Sequence, residues 1–404
     1  MENLVVIGAG QSAIQCITSL KKEGYAGSIT LIGEEEHLPY QRPPLSKGFL
    51  DDSVNKERLY FKKLEFFTEN KIQLKLGVSA TNVDIKNNFV HLSDEDKLRF
   101  DKLVFATGSR VRHLDFAGKD LDCIHYLRSL DDAENIKKGL EKSKHIVVIG
   151  AGYIGLEVAA IASEKGINVS IIEMADRVMS RTVDPQISDY YLNLHQSNGV
   201  KFKFNTSLEE IRGQGQVESV VCSDGTSINA DMVIIGAGVI PNTEIAENSG
   251  VICENGILVD EFGRTNFKNV FACGDCTSHP NKLLNMQLRL ESVHNAMEQS
   301  KAVALSALDK PAEYNQIPWF WSDQYDHKLQ IVGISGSHDT VTIRGSVDTA
   351  KFMLFYTRGE ELIAVDAVNN PKDFLICRKL VANKVKIKAE EISNPDTNLN
   401  DLIE

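Results

Sequence analysis

The hexapeptide Val-Val-Ile-Gly-Ala-Gly occurs twice in the chain, at Val5–Gly10 and again at Val147–Gly152. Each copy ends an apolar, β-branched run and opens a segment whose apolar residues have helical spacing. A turn with glycine and a second β-branched run follow, at Ser28–Ile32 in the first copy and at Asn168–Ile172 in the second. This pattern predicts two strand–helix–strand units with parallel strands. The period is that of a domain, so the chain is not a solenoid.

The first copy continues as Gly8-Ala-Gly10-Gln-Ser-Ala13, which fits the pattern G-x-G-x-x-A. Gly8 permits the tight turn, and Gly10 lets a pyrophosphate reach the N–H groups at the helix N-terminus. Glu34 follows the second strand, where an acid accepts hydrogen bonds from ribose hydroxyls. A lone glycine turn also occurs as an ordinary connection, but the strand, helix, second strand and acid together predict dinucleotide binding.

The second copy is a full G-x-G-x-x-G, formed by Gly150, Gly152 and Gly155, and its acid is Glu173. Two such turns predict two dinucleotides. The economical pair is FAD, held as a prosthetic group, and a nicotinamide nucleotide that binds and leaves. We assign FAD to the first turn because this longer cofactor needs a remote second contact, for which Asp275 is the candidate.

Composition and charge restrict the number of domains, the class of function and the cellular location. The 404 residues predict two or three domains, and the net charge of −12 disfavours binding to nucleic acid or to anionic membranes. No apolar run is long enough for a membrane helix, and no signal peptide is visible. The seven cysteines are thinly scattered, which favours reduced thiols in a cytoplasm. The histidines show no clustered metal-ligand spacing, so we expect no metal site.

Other strands are predicted from short β-branched runs. After Gln316 the pattern changes to short alternating strands, which together with one helix predict an α+β domain from about residue 316 to the end. The predicted polar loop near the C-terminus is Asn394–Asn400. The predicted strands are Lys102–Ala106, Met232–Ile235, Val270–Ala272, Leu329–Val332, Thr340–Arg344, Lys351–Tyr356 and Leu362–Ala367, and the predicted C-terminal helix is Asp373–Val381.

Six segments together resemble FAD-dependent NADH:ferredoxin reductases of the putidaredoxin-reductase and biphenyl-dioxygenase-reductase type, within the pyridine-nucleotide disulfide-oxidoreductase superfamily. The resemblance implies an α/β fold with two Rossmann-like dinucleotide-binding domains and a C-terminal α+β domain. It implies an FAD domain at 1–110 and 243–315, an NAD domain at 111–242 and a C-terminal reductase domain at 316–404. The segments are YQRPPLSK (40–47), GAGYIGLE (150–157), GAGVIPN (236–242), FACGDC (271–276), RLESVHNA (289–296) and PWFWSDQY (318–325).

The same resemblance implies the residues that contact each cofactor. Ser12 and Ala80 depart from the residue types expected at their positions, which matters little if those contacts are made by the backbone. The implied FAD contacts are Gly8, Gly10, Ser12, Glu34, Arg42, Lys47, Ala80, Arg128, Asp275, Val293 and Trp321. The implied NAD contacts are Gly150, Gly152, Ile154, Gly155, Glu157, Glu173, Arg181 and Gly238.

Three of these residues are implied to be catalytic. Lys47 and Glu157 form an ion pair beside the flavin's reactive edge in the family, and Trp321 lies over the isoalloxazine. A fixed ammonium stabilises the negative charge that hydride arrival leaves on the ring. Taken alone, Lys47 and Glu157 are more typical of solvated residues, and Trp319 and Trp321 of a core or interface pair.

The implied activity is transfer of electrons from NADH through FAD, singly, to a [2Fe–2S] ferredoxin that serves a cytochrome P450 or a ring-hydroxylating oxygenase. The alternative acceptors are rubredoxin and a small molecule such as monodehydroascorbate or a quinone. A further alternative is that the chain is a signalling flavoprotein like apoptosis-inducing factor. Cys273 and Cys276 form a C-x-x-C, but Asp275 between them is the expected flavin ligand, so we reject a redox role for the thiols. The candidate cations for partner docking are Arg289, Lys301, Lys384, Lys386 and Lys388.

Overall fold

Residues 2–403 are described by a computed structural model, in which separate stretches of chain combine into two units. The first unit contains the chain up to Gln41, together with Glu57–Arg110 and Ile240–Phe320. The second contains Arg42–Lys56, Val111–Val239 and the chain from Trp321 onward.

The strands are numbered in chain order. Those before residue 112 are β1 (Asn3–Ile7), β2 (Ser28–Gly33), β3 (Ile72–Leu76), β4 (Ala80–Asp84), β5 (Phe89–Leu92), β6 (Lys97–Arg99), β7 (Lys102–Phe105) and β8 (Ser109–Val111). Those from 124 to 241 are β9 (Ile124–Tyr126), β10 (His145–Ile149), β11 (Asn168–Ile172), β12 (Lys201–Lys203), β13 (Leu208–Arg212), β14 (Ser219–Cys222), β15 (Ser227–Asn229), β16 (Met232–Ile235) and β17 (Val239–Pro241). The others are β18 (Ile257–Leu258), β19 (Val270–Ala272), β20 (Thr277–Asn281), β21 (Met286–Leu288), β22 (Trp319–Gln324), β23 (His327–Gly333), β24 (Thr340–Ser346), β25 (Lys351–Arg358) and β26 (Glu361–Val368).

The helices are numbered in the same way. They are α1 (Gln11–Lys22), α2 (Lys56–Leu59), α3 (Leu64–Glu69), α4 (Leu130–Leu140), α5 (Tyr153–Glu164), α6 (Pro185–Ser197), α7 (Glu244–Asn248), α8 (Val293–Ala307), α9 (Pro371–Ala382) and α10 (Ala389–Ser393). Two 3₁₀ helices cover Pro43–Ser46 and Leu399–Leu402. None of the helices within residues 2–403 has the length and apolar character that a membrane crossing requires.

The first unit is built on a parallel sheet in the order β19-β7-β1-β2-β3. Alternation along β1 sends Leu4 and Val6 into the core on the side of α1 and α8. Val5 and Ile7 enter the core on the opposite face, together with residues of the antiparallel sheet β4-β5-β6. Because both faces of the parallel sheet are covered, the sequence of β1 is a continuous apolar run and does not alternate between apolar and polar residues.

The second unit repeats this plan in the parallel sheet β12-β11-β10-β16-β9. The antiparallel sheet β13-β14-β15 covers one face, where Val147 and Ile149 pack against Val220 and Cys222. The predicted strand–helix–strand repeat is therefore confirmed, as β1-α1-β2 in one unit and as β10-α5-β11 in the other.

The C-terminal part forms an antiparallel sheet in the order β22-β23-β26-β25-β24, on which α9 packs. The four strands predicted after residue 325 are present, each slightly longer than predicted, and α9 extends the predicted helix at both ends. The loop predicted at Asn394–Asn400 is only partly correct, because its last residues enter the second 3₁₀ helix. Leu399 is buried there, and the Asn398 side chain accepts a hydrogen bond from the Asn400 N–H.

One acidic side chain lies inside this C-terminal sheet. Asp366 of β26 is 1% exposed, and its Oδ2 accepts a hydrogen bond from the Tyr356 hydroxyl at 2.7 Å. Burial disfavours the charged carboxylate and raises the pKa of Asp366 to about 7, even though the hydrogen bond from Tyr356 acts in the opposite direction. The folded protein therefore holds a proton on Asp366 at pH values where the unfolded chain has released it.

We predict that Asp366→Asn stabilises the protein at pH 8 but not at pH 5. Between the unfolded pKa near 4 and the folded pKa near 7, the folded state binds more protons, so the free energy of unfolding falls as pH rises. By pH 8 the free energy of unfolding has fallen by on the order of a few kcal/mol. The asparagine side chain does not titrate, so the variant does not lose this stability. Thermal unfolding at both pH values measures the difference, with the exposed Asp348→Asn as the control. An equal difference at both pH values would contradict the prediction.

Candidate active site

Both glycine turns have a backbone that only glycine can adopt. Gly8 has φ +106°, and a Cβ on it would lie 2.1 Å from the carbonyl oxygen of Ala106. Gly150 has φ +98°, and a Cβ there would lie 2.6 Å from the carbonyl oxygen of Gly236. In each unit, therefore, the first glycine lets the turn pass directly over the end of the neighbouring strand.

The second glycine of each turn leaves open space above a helix N-terminus. Gly10 and Gly152 are the N-cap residues of α1 and α5, and a Cβ on either would meet no atom within 4 Å. Among residues 2–403, no side chain caps either helix, and neither first turn carries an acidic residue. Free N–H groups and open space are what the phosphates of a dinucleotide require, so both turns fit the predicted cofactors.

The third position of the second turn serves packing. A Cβ on Gly155 would lie 2.3 Å from the carbonyl oxygen of Gly150, so α5 can approach the turn only with glycine at this point. The first turn carries Ala13 instead, and this residue is fully buried in the core between α1 and the sheet.

In the first unit, the structure brings the glycine turn and the Gly-Asp segment together. A Cβ on Gly274 would lie 2.1 Å from Ser12 Oγ, so the start of α1 contacts the turn that carries Asp275. The carboxylate of Asp275 accepts a hydrogen bond from Ser109 Oγ at 3.0 Å. Gln299 of α8 holds the same turn, because its Oε1 accepts the Gly274 N–H at 2.8 Å. Neither Ser109 nor Gln299 was predicted from the sequence.

The remaining predicted FAD contacts are divided between the units. In the first unit, Glu34 is exposed directly after β2, Ala80 begins β4 and Val293 begins α8. In the second unit, the Arg42 guanidinium donates a hydrogen bond to the Arg128 carbonyl oxygen at 2.6 Å. The second unit also contains Lys47 and Trp321, and Trp321 is half-buried in β22.

Glu173 is fixed against the second glycine turn. Its Oε2 accepts the Ala151 N–H at 2.6 Å, and its Oε1 accepts the Ala175 N–H at 2.8 Å. The nearby cation Arg177 is occupied elsewhere, because its guanidinium donates to the carbonyl oxygens of Ser180 and Val183. A carboxylate held in this way is suited to accept hydrogen bonds from ribose hydroxyls.

Three other predicted NAD contacts surround the same end of the sheet. A Cβ on Gly238, which has φ +86°, would lie 3.8 Å from Nη2 of Arg181, so these two residues are close together. Ile154, the second residue of α5, exposes 43% of its surface although it is apolar. An exposed apolar side chain beside an open helix N-terminus is consistent with contact to a nucleotide.

Glu157 and Lys47 form the predicted ion pair. Their Nζ and Oε2 atoms lie 2.7 Å apart, and Glu157 is only 3% exposed whereas Lys47 is 20% exposed. The 3₁₀ helix Pro43–Ser46 sets the position of Lys47, whose N–H donates to the Pro44 carbonyl oxygen. Ser46 Oγ donates to Glu157 Oε2 at 2.5 Å, and Ser322 Oγ donates to Oε1 at 2.6 Å.

Neither serine was predicted from the sequence as a partner of Glu157. The sequence held a signal for both serines, because Ser46 is adjacent to Lys47 and Ser322 is adjacent to Trp321. Both lie in segments that carry the family resemblance. The carboxylate thus has three donors from two distant segments. Its charge is fully compensated inside the protein.

The thiols of the C-x-x-C segment are unsuited to redox chemistry. Cys273 and Cys276 are fully buried, and both are free, as are the other five cysteines of the chain. Burial raises the pKa of both thiols above the ordinary value, which keeps them in the unreactive protonated form. Residues 2–403 contain no cluster of three histidine, cysteine or acidic side chains placed to hold a metal ion.

Most of the candidate docking cations have acidic partners. Arg289 pairs with Glu291, Lys301 with Glu298 at 2.6 Å, and Lys384 with Glu361 at 3.9 Å. Lys386 and Lys388 are exposed, and no ion pair involves either of them within the described part of the chain.

Comparisons with known proteins agree with this geometry. Residues 2–300 match the family of pyridine nucleotide-disulphide oxidoreductases, and residues 319–403 match the reductase C-terminal family. Rhodocoxin reductase of Rhodococcus erythropolis is 38% identical over 398 residues, covering 98% of this chain and 93% of its own. Putidaredoxin reductase of Pseudomonas putida is 36% identical over 408 residues, covering 100% and 97%.

Solved structures agree equally well. The ferredoxin reductase for the CYP199A2 system of Rhodopseudomonas palustris matches with a TM-score of 0.97 and 37% identity over the full length of both chains. The reductase in the covalent putidaredoxin reductase–putidaredoxin complex matches with a TM-score of 0.96 and 35% identity, covering 100% of this chain and 98% of its own.

Two dinucleotide-binding turns and a lysine paired with a buried glutamate define an oxidoreductase that uses FAD and NAD(H). Its C-terminal sheet lies in the part of the chain that matches the reductase C-terminal family. The chain belongs to the pyridine nucleotide-disulphide oxidoreductase family and, within it, to the ferredoxin reductases.

We predict a preference for NADH over NADPH of roughly a hundredfold in kcat/KM. A 2′-phosphate would be placed against the fixed carboxylate of Glu173, and the nearby Arg177 guanidinium is held by backbone carbonyl oxygens. The double variant Glu173→Ala/Met174→Arg should erode this preference, because Met174 is 75% exposed and an arginine there disturbs no packing. Steady-state kinetics with both nucleotides measures the ratio. Asp176→Ala, which removes a nearby exposed acid, is the control, and equal kcat/KM values in the wild type would contradict the prediction.

Proposed function

We propose that this protein transfers electrons from NADH to a small [2Fe–2S] ferredoxin, which then serves a cytochrome P450 or a ring-hydroxylating oxygenase. The observation that carries the proposal is the ion pair of Lys47 with the buried Glu157 beside the second dinucleotide turn, in a chain that resembles ferredoxin reductases along nearly its whole length. Relatives named as reductase components of the anthranilate 1,2-dioxygenase and p-cumate 2,3-dioxygenase systems are each 34% identical.

The proposed domains are those that the family resemblance implies. The FAD-binding domain comprises residues 1–110 and 243–315, and the NAD-binding domain comprises residues 111–242. Residues 316–404 form the C-terminal reductase domain. When bound, FAD accepts a hydride and releases electrons one at a time. The proposed FAD contacts are Gly8, Gly10, Ser12, Glu34, Arg42, Lys47, Ala80, Arg128, Asp275, Val293 and Trp321. The proposed NAD contacts are Gly150, Gly152, Ile154, Gly155, Glu157, Glu173, Arg181 and Gly238.

The protein's own residues bind, orient and supply charge. The N–H groups at the start of α5 bind the pyrophosphate of NADH, and Glu173 accepts hydrogen bonds from its ribose. Glu157 holds the Lys47 ammonium in a fixed place through their ion pair. The ammonium of Lys47 then supplies positive charge where hydride arrival leaves negative charge. Trp321 excludes water from the reacting face.

Rubredoxin is the second candidate acceptor. A rubredoxin-NAD(+) reductase of Pseudomonas putida is 35% identical over 370 residues, covering 91% of this chain and 96% of its own. The flavin and nicotinamide chemistry would be the same, and only the protein that accepts the electrons would differ.

We also propose that the protein works in the cytoplasm. All seven cysteines are free, which is typical of a compartment that keeps thiols reduced. A soluble [2Fe–2S] partner of an oxygenase system would be found in the same compartment.

We predict that Lys47→Ala slows flavin reduction by NADH by about a hundredfold or more, through lost charge stabilisation. The paired replacement of Cys273 and Cys276 by serine should leave this rate unchanged in protein that retains FAD, because the buried thiols take no part. Anaerobic stopped-flow absorbance measures both rates, and Lys47→Arg, which keeps the charge, is the control. If the cysteine variant shows no flavin reduction and the Lys47→Ala variant keeps the wild-type rate, the thiols and not Lys47 take part in the reaction.

The acceptor is tested by assaying [2Fe–2S] ferredoxins, a rubredoxin, small quinones and ferricyanide across a salt series. We expect turnover with a ferredoxin to fall as ionic strength rises, because screening weakens steering toward cations such as Lys386 and Lys388. Turnover with ferricyanide should change much less, since no protein partner is involved. Efficient turnover with quinone or monodehydroascorbate radical, and none with any iron–sulfur protein, would overturn the ferredoxin assignment.

A further inference from the structure

A chain of buried hydrogen bonds runs away from Glu157 within the second unit. Glu157 Oε1 accepts from Ser322 Oγ at 2.6 Å, and Ser322 Oγ accepts from Gln324 Nε2 at 3.2 Å. Gln324 Oε1 in turn lies 2.9 Å from Nε2 of His195. Ser322, Gln324 and His195 are each no more than 1% exposed, so no solvent competes for these bonds.

Two secondary-structure elements place these residues. Ser322 and Gln324 are two positions apart on β22, so they share one face of the strand, and Trp321 points to the other face. His195 lies in the last turn of α6. One strand therefore presents an aromatic ring on one face and the hydrogen-bonded polar side chains on the other.

The chemistry of the groups gives the hydrogen-bond chain a single direction. The amide oxygen of Gln324 can only accept, so Nε2 of His195 carries the proton and donates it. Nδ1 of His195 is then a bare acceptor, and the Tyr325 hydroxyl lies 3.2 Å away as its donor. At the other end, the Glu157 carboxylate can only accept, so the Ser322 hydroxyl donates to it. The Gln324 amide nitrogen donates both to Ser322 Oγ and, at 3.9 Å, to Sδ of Met179.

His195 stays neutral in this position. Burial lowers its pKa to about 4, although the hydrogen bond to Gln324 acts in the opposite direction. The aromatic rings of Phe202 and Tyr325 contact its imidazole ring in T-shaped arrangements. The direction of the hydrogen-bond chain is therefore the same at any pH near neutrality.

We propose that Gln324 and His195 are positioning residues, which fix the Glu157 carboxylate through Ser322 and thereby hold Lys47 in place for hydride transfer. Neither residue touches Lys47 directly. Without the Gln324 amide the Ser322 hydroxyl is free to rotate, and Oε1 of Glu157 loses the donor that sets its orientation. Small displacements of a positioned group are costly to a reaction rate, and buried supporting bonds prevent them. This inference rests on the proposed function.

The test compares Gln324→Leu, His195→Phe and His195→Gln. Gln324→Leu removes the middle of the hydrogen-bond chain and His195→Phe removes its last bond, each with a side chain of similar size. His195→Gln restores an N–H donor near the position of Nε2. We expect the first two to lower the limiting rate of flavin reduction by NADH about tenfold. The dissociation constant for NAD⁺, measured by calorimetry, should change by less than about twofold, and His195→Gln should recover most of the rate.

Tyr191→Phe is the matched control. Tyr191 lies on α6 with His195 and is fully buried, and its hydroxyl has no hydrogen-bond partner among residues 2–403. Its loss should leave the rate unchanged. Melting temperatures of all variants show how much each change destabilises the fold, and rates are compared well below the lowest one.

The outcomes separate this inference from the proposed function. If Gln324→Leu and His195→Phe melt earlier but keep the wild-type rate, or if Tyr191→Phe is slowed equally, the positioning role is overturned. If wild-type protein is not reduced by NADH at all, the proposed function fails. A crystal structure of Gln324→Leu then still decides the inference, because an unmoved Glu157 carboxylate overturns it and a rotated one supports it.

Discussion

The buried carboxylate of Glu157 is the charge around which the interior of the second unit is arranged. An ion removed from water carries a penalty of several kcal/mol, which only close, well-directed partners can offset. Lys47, Ser46 and Ser322 supply those partners at 2.5–2.7 Å. Because loss of one partner from such a site costs about 3–5 kcal/mol, the segments that carry these residues are held firmly to α5.

This constraint explains the composition of the second unit. Arg42–Lys56 is remote in sequence from the rest of that unit, but its residues make their contacts there. Besides Lys47 with Glu157, Arg42 bonds the Arg128 carbonyl oxygen and Lys56 pairs with Glu134 at 2.8 Å. The exposed pair contributes little by itself. The ion pair with the buried Glu157 therefore contributes more to holding this segment than the surface pair does.

The two glycine turns combine a steric requirement with an open binding surface. Gly8 and Gly150 are needed because the neighbouring strand's backbone leaves no room for a Cβ. Gly10 and Gly152 meet no protein atom, so their lack of a side chain matters only to what binds there. The first glycine of each turn is therefore needed for folding, and the second leaves room for the ligand. The two glycines are two positions apart in both turns.

The sequence by itself determined the features that depend on local chemistry. The turns, the parallel strands and the acids Glu34 and Glu173 follow from short motifs, since backbone geometry and strand order restrict the residues there. The pairing of Lys47 with Glu157 needed the family resemblance, because the two residues are 110 positions apart. The end of the predicted C-terminal loop was wrong because burial of Leu399, a tertiary effect, winds it into a 3₁₀ turn.

Only the tertiary structure decided what supports that pair. Ser322 lies 165 positions from Glu157, and Gln324 lies 129 positions from His195. No local pattern distinguishes these side chains from ordinary polar residues, and His195 by itself is typical of a satisfied core or surface histidine. Their role arises because β22 and α6 bring them together in a place without water, where each donor must meet an acceptor.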